Sequence, residues 1–214
     1  MKERPILFST GMVRAILSGK KTMSRRVIKP QPTININSFQ YKNHVYPCTE
    51  EQFKGGVLEY CPYGKIGDRL WVRETFVLED PREYTSDIVI PEDRPVKMSY
   101  SKEDGTQYRI PHYRATEPEP HIIPDNLRDG SDDRTRWKPA IFMPRWASRL
   151  VLEITQLRVE RLQKITDEDV LKEGITLQED FKALWNSINV ERGFGWNKNP
   201  WVWVIEFKKN YLIK

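Results

Sequence analysis

Eight consecutive residues, Gly19-Lys20-Lys21-Thr22-Met23-Ser24-Arg25-Arg26, bring four cations and two hydroxyls together. On a strand, Thr22, Ser24 and Arg26 share one face. A hydroxyl beside an amine is a workable nucleophile pair, because lysine accepts the hydroxyl proton once burial or neighbouring cations lower its pKa. Lys20, Arg25 and Arg26 supply that like charge. The same run also fits a solvated basic turn that meets phosphate. Glu173 is a second candidate. It falls in the last turn of a predicted helix, just before Gly174. A carboxylate there faces the negative end of the helix dipole, which costs a few tenths of a kcal/mol up to ~1. A residue set against its local preference points to another use; a surface glutamate beside Lys172 is the plainer alternative.

Two further groups mix aromatic rings with charge. In Leu70-Trp71-Val72-Arg73-Glu74-Thr75-Phe76, Trp71, Arg73 and Thr75 lie on one strand face, and Val72, Glu74 and Phe76 on the other. Arg73 and Glu74 suit a pocket wall, or ordinary cross-strand ion pairing. Arg145-Trp146-Ala147-Ser148-Arg149, with Trp196 and Trp201 later in the chain, suits base stacking and phosphate contact. Large aromatics at strand starts more often belong to the core. His44, Cys48 and Cys61 match no common zinc spacing and there is no C-x-x-C, so no metal and no cofactor is expected. His112 and His121 have no partner legible in the sequence. No P-loop, G-x-G-x-x-G, G-x-S-x-G or H-E-x-x-H is present.

The elements that must position these residues read as follows. Pro5–Phe8 is a short strand. Ser9 or Thr10 caps a helix through Leu17 that buries Met12, Val13, Ile16 and Leu17 and stops at Gly19. Thr22–Ile28 is β-like, and Lys65-Ile66-Gly67-Asp68 is a turn launching a strand, Arg69–Val77. Arg149–Thr155 and Leu157–Leu162 alternate as two strands. Thr166 caps a helix through Glu173, with Asp169 at the capping-box position, and Gly174 ends it. A longer helix runs from about Gln178 to Ile188, stacking Phe181, Leu184, Trp185 and Ile188. Trp201–Phe207, apolar on both faces, reads as a central strand. The class is α+β, mostly β: a small, partly closed barrel with flanking helices.

Composition narrows the function classes. The chain has 214 residues, a net charge of +5, 38% hydrophobic and 30% charged residues. No apolar run approaches the roughly 20 residues a membrane span needs. Two cysteines and a charged N-terminus argue for a reducing, cytoplasmic setting without a secretory signal. The charge is unevenly spread: residues 79–136 hold 14 acidic and 9 basic residues, and the remainder holds 16 acidic and 26 basic. The segment from Glu79 to Arg136 reads as a polar insertion, with a hairpin centred on Asp104-Gly105 and a long loop from Thr116. Its acidic balance suits a lid over a basic cleft or a shield against long nucleic acid. A second irregular stretch runs from Pro30 to Gly56, so one domain over 1–214 carries insertions at about 30–60 and 79–136.

In combination these pieces resemble the ASCH family of small PUA-like barrels. The resemblance rests on the helix followed by Gly-Lys-Lys-Thr-Met-Ser-Arg-Arg, on Lys65-Ile66-Gly67-Asp68-Arg69-Leu70, and on Trp203-Val204-Ile205-Glu206-Phe207. The Cys61-Pro62-Tyr63-Gly64 to Glu74 block, the Met143-Pro144-Arg145-Trp146-Ala147-Ser148-Arg149 block and the Trp-Val-Trp-Val ending look most like longer ASCH-containing proteins of phages and prophages. The matching core is Met1–Ile28, Lys65–Val77 and Arg145–Lys208. One branch of the family is a bacterial amidohydrolase acting on N(4)-acetylcytidine through a Lys, a Thr three residues later and a distant Glu. The resemblance carries those roles to Lys21, Ser24 and Glu173, with Ser in place of Thr. It implies an amidohydrolase for an N-acylated pyrimidine nucleoside, with Lys20, Arg26, Trp71, Arg73, Glu74, Arg145 and Trp146 as residues for substrate or nucleic acid. The alternative is a non-catalytic RNA- or nucleotide-binding module. A third reading is a phage protein that meets a host protein through the acidic insertion.

Overall fold

The computed structural model describes residues 1–35, 38–47, 49–78, 92, 94–101, 105–118 and 136–211. The chain divides into two compact units. The first is Met1–Arg4, Ala15–Arg69 and Leu152–Lys209; the second is Pro5–Arg14, Leu70–Val151 and Asn210–Lys214. The architecture is mixed α and β with more strand than helix.

Strands β1 (Glu3–Leu7), β2 (Met23–Val27), β6 (Arg69–Arg73), β11 (Leu150–Arg161) and β12 (Trp201–Tyr211) form a five-stranded sheet in the order β1-β6-β11-β12-β2. β1 and β2 are its edges, so the sheet is open where the sequence reading expects a partly closed barrel. The pairing of β12 with β2 is antiparallel, with Ile205 opposite Ser24 and Val204 opposite Arg25. β12 lies between two neighbours, as its doubly apolar pattern predicts, and Trp201 to Ile205 are all buried. The expected strand pair Arg149–Thr155 and Leu157–Leu162 is one continuous strand, β11. Conversely, the expected strand Arg69–Val77 breaks into β6 and β7 (Phe76–Leu78), and Glu74 at the break turns its buried carboxylate to Arg149.

In the first unit, Met23, Leu162, Ile165, Val170, Phe181, Trp185, Val202 and Val204 form one buried cluster. It seats helices α3 (Asp167–Lys172) and α4 (Gln178–Asn189). Phe181 and Trp185 of α4 are buried, but Leu184 and Ile188 are 38% and 41% exposed, so the apolar stripe is narrower than the sequence pattern suggests. The stretch read as irregular is built of regular elements: strands β3 (Thr33–Asn35), β4 (Ser38–Tyr41) and β5 (His44–Pro47) form a sheet, and α2 (Glu50–Val57) follows. Thr49 and Gln52 close a capping box on α2, a signal present in the sequence as Thr-x-x-Gln. Phe39 and Phe53 then stack with centroids 4.6 Å apart, and Trp201 meets Phe53 edge-on at 5.2 Å.

The second unit has its own core of Phe76, Leu78, Tyr113, Met143 and Ala147, with Trp146 packed against it. Strand β10 (Pro111–Tyr113) pairs antiparallel with β7. Tyr113, inside the segment read as an insertion, is fully buried and donates its hydroxyl to the Ala147 carbonyl at 2.8 Å. β8 (Lys97–Ser101) and β9 (Gly105–Arg109) form the expected hairpin, but Gly105 pairs with Ser101 as a strand residue. Asp104, Cys48, His121 and residues 119–135 of the loop expected from Thr116 to Arg136 lie outside the described residues.

Candidate active site

The site is assembled by two backbone stops. Helix α1 (Thr10–Leu17) ends at Gly19, whose φ is +76°, and the chain then enters β2 through Lys21 and Thr22. Helix α3 starts at Thr166, whose hydroxyl accepts from the Asp169 N–H at 3.2 Å, and ends with Glu173 as its C-cap. Gly174 turns the chain away at φ +81°. The two stops meet: Lys21 and Glu173 form an antiparallel β-bridge, and the Thr22 N–H donates to the Lys172 carbonyl at 2.8 Å. A Cβ on Gly174 would come within 3.1 Å of the Cβ atoms of both Ala15 and Lys21. Glycine is therefore required twice over, for its dihedral and for its closeness to Lys21.

Side chains repeat the backbone contact. Lys21 Nζ donates to Glu173 Oε2 at 2.6 Å and to the Glu173 carbonyl at 2.9 Å. Glu173 Oε1 accepts from the Arg25 backbone N–H at 2.7 Å. The carboxylate thus rests against the peptide unit joining Ser24 to Arg25. Lys21, Ser24 and Glu173 are 3%, 4% and 7% exposed, although all three are polar. Burial pulls the Lys21 ammonium below its usual range; Glu173 opposes this, while Arg26 and Arg25 reinforce it. A buried lysine held this way is a candidate proton acceptor. Ser24 lies one peptide unit from the carboxylate, on the strand face it shares with Arg26 and opposite the face of Met23 and Arg25.

Charge continues outward from this pair. Arg25 Nη2 meets Asp169 Oδ2 at 2.5 Å and Glu160 Oε2 at 3.5 Å, and Nη1 lies 3.1 Å from Met23 Sδ. Arg158 on β11 reaches Asp169 Oδ1 at 3.0 Å and Glu160 Oε1 at 2.6 Å, and it also contacts Glu206 of β12. Burial works upward on Asp169, but Arg25 and Arg158 outweigh it and hold its carboxyl below the ordinary value. Arg26 is drawn down by burial, against the pull of Tyr63 and Glu173. Burial raises the Tyr63 phenol, and the Arg26 charge opposes that rise. The roles of Asp169, Arg158, Glu160 and Tyr63 are missing from the sequence reading. Arg158 and Glu160 sit two apart in an alternating strand, which marks them as a same-face pair, but nothing local says that Arg25 joins them.

The remaining candidates fall elsewhere. Lys20 is exposed. Trp71, Arg73, Glu74, Arg145 and Trp146 belong to the second unit. The guanidiniums of Arg73 and Arg145 lie 5.3 and 5.9 Å from the Trp71 ring. Arg73 Nε donates to the Met143 carbonyl at 3.1 Å. Glu74 takes a two-point ion pair from Arg149, at 2.9 and 3.1 Å; burial raises its carboxyl pKa and Arg149 opposes that. Half-buried Trp146 packs on the core of this unit. The His44 ring packs on Tyr60 at 5.0 Å, and Cys61 is buried with its thiol pushed up to about 11, chiefly by desolvation. Among the described residues no three His, Cys, Asp or Glu side chains converge as metal ligands. No helix among them is long and apolar enough to cross a membrane.

The first unit also holds a cleft of about 620 Å³, lined in part by Lys2, Arg4, Leu58, Cys61, Ile66 and Leu157. It does not include Lys21 or Glu173. At its wall Asp68 accepts from the Lys2 N–H at 2.8 Å, from Arg4 at 3.1 Å and from the Lys65 N–H at 3.3 Å. Comparison with protein families, with curated proteins and with solved structures finds no match for this chain.

Proposed function

We propose that the protein is an amidohydrolase that deacylates an N-acylated pyrimidine nucleoside of the N(4)-acetylcytidine type, with Ser24 as nucleophile, Lys21 as proton acceptor and Glu173 as proton donor. The observation that carries this reading is the buried 2.6 Å contact between Lys21 and Glu173, beside the peptide unit that follows Ser24. Two ionisable groups 152 residues apart are brought together out of water. Such an arrangement costs desolvation energy and is weak evidence for stability as such. The resemblance to the ASCH family names the same three positions, and the PUA-like fold is part of this proposal.

The proton inventory closes. Transfer of one proton from the Lys21 ammonium to the Glu173 carboxylate leaves a free amine and a carboxylic acid. Ser24 Oγ then attacks the amide carbonyl carbon and its proton passes to Lys21. Arg26 and nearby backbone N–H groups steady the oxyanion. The C–N bond breaks as Glu173 gives its proton to the exocyclic nitrogen of the base. Lys21 and Glu173 are then back in their resting charge states, and water hydrolyses the Ser24 ester, releasing the carboxylic acid and regenerating the Ser24 hydroxyl. Purified protein incubated with N(4)-acetylcytidine without added metal is expected to release cytidine and acetate. Intact substrate after prolonged incubation would count against the reaction.

A second reading has its own observation. The Trp71 ring with Arg73 and Arg145, and Lys97 near the Trp146 ring at 6.0 Å, form a cationic aromatic group suited to RNA or nucleotide contact. Binding of single-stranded RNA with a steep salt dependence, without hydrolysis of any acylated cytidine, would favour it.

A further inference from the structure

We propose that Arg25 is the positioning residue of the Lys21–Glu173 pair: one buried guanidinium, anchored on Asp169, fixes the Glu173 carboxylate and places positive charge beside Lys21. This rests on the reading of Lys21 as the proton acceptor. The Arg25 side chain has no exposed surface. Its backbone N–H and its Nη1 approach the same oxygen, Glu173 Oε1, at 2.7 and 3.6 Å. That leaves Oε2 for Lys21 at 2.6 Å. The two carboxylate oxygens are thus divided between two cations, and the carboxylate cannot rotate without breaking one contact. Nη2 is held in turn by Asp169 at 2.5 Å, and Arg158 fixes the other Asp169 oxygen at 3.0 Å.

Each element packed around the pair contributes charge. β2 presents Arg25 and Arg26, α3 presents Asp169, β11 presents Arg158 and Glu160, and the turn before β6 presents Tyr63. Glu206 on β12 and Lys172 complete the outer ring at 3.7 Å from each other. Arg25 contacts both Glu173 and Asp169. Arg25 and Arg26 both act downward on the Lys21 ammonium, so loss of the Arg25 charge must raise the pH at which Lys21 becomes free amine.

The test compares wild type with Arg25→Lys, Arg25→Met and the double variant Arg25→Met/Asp169→Asn. The double variant removes both members of the buried pair and avoids stranding Asp169, so it keeps the test open if Arg25→Met fails to fold. Two readouts are taken: the pH profile of kcat/KM on N(4)-acetylcytidine, and the pH titration of Lys21 by NMR of lysine-labelled protein. The expected result is an alkaline limb, where Lys21 loses the proton it shares with Glu173, displaced to higher pH in Arg25→Met and the double variant. Neutral-pH kcat/KM should fall by about tenfold, the scale for losing a partner that orients a functional group. Arg25→Lys should restore most of the limb position. A loss of rate equal at every pH, with the limb unmoved, marks a merely structural arginine and overturns the proposal. The NMR titration separates the two claims. If wild type hydrolyses nothing but Lys21 still titrates higher without Arg25, the positioning role stands and the reaction falls. If Lys21 titrates alike in all variants, the positioning role falls.

Discussion

At the scale of single residues, the proposed reaction depends on a lysine that is buried and still paired. Lys21→Ala and Glu173→Ala should each lower kcat by on the order of 10²-fold or more, the usual contribution of an acid–base group, in steady-state assays on acylated cytidine. Ser24→Ala should abolish turnover, whereas Ser24→Thr, which keeps the hydroxyl, should retain it. Stability carries an independent signature. Because the folded-state pKa of Lys21 is lowered by burial, the unfolded chain binds more protons between that value and the ordinary lysine range. Lys21 therefore makes stability rise with pH across that window. Urea midpoints of wild type and Lys21→Met measured from pH 7 to 10 should diverge, with wild type gaining on the variant. Parallel curves would contradict the burial of a titrating Lys21.

At the scale of elements, two glycine stops and one aspartate turn set the geometry. Gly174→Ala should destabilise the fold by about 1–2 kcal/mol, the cost of a left-handed backbone for a residue with a Cβ, measurable by chemical denaturation. It should also lower activity, because the new methyl presses on Lys21. The turn before β6 is tied by Asp68, whose pKa is lowered first by the Lys2 N–H and further by the Lys65 N–H and Arg4. An acid with a depressed folded pKa contributes stability above its unfolded value and loses it as pH falls through the folded one. Wild type should thus lose more stability than Asp68→Asn on acidification below about pH 4, a difference thermal melts can read.

The helix before Ser24, both glycine stops, the Thr166 cap and the central β12 were all legible in the sequence, because each rests on local chemistry. Glu173 stood out because it opposed its helix dipole. That the sheet stays open was not legible, since the β1 and β2 edges are set by long-range pairing that no local pattern encodes. Glu74 at the break pairs with Arg149, 75 residues away, and the Arg25–Asp169 contact spans 144 residues. The missed sheet and helix between Pro30 and Gly56 are a different case: the capping box was present, but short strands rich in polar residues masked the alternation.

At the scale of the whole molecule, charge decides between nucleoside and polymer. The chain carries net +5, with its acidic excess gathered in residues 79–136. A polymer ligand would displace counterions, so its affinity would fall with log salt at a slope of about −0.7 per phosphate contact on single strands. Hydrolysis of an uncharged nucleoside releases no such counterions, and kcat/KM for N(4)-acetylcytidine should stay nearly constant between 50 and 200 mM salt, roughly the range over which polymer binding collapses. The most direct test of the central claim is cytidine release from N(4)-acetylcytidine by wild type and by Ser24→Ala under identical conditions. Wild type should turn the substrate over and Ser24→Ala should show only background. Wild-type rates from Ser24→Ala, or no release by wild type from any acylated cytidine, would contradict that claim.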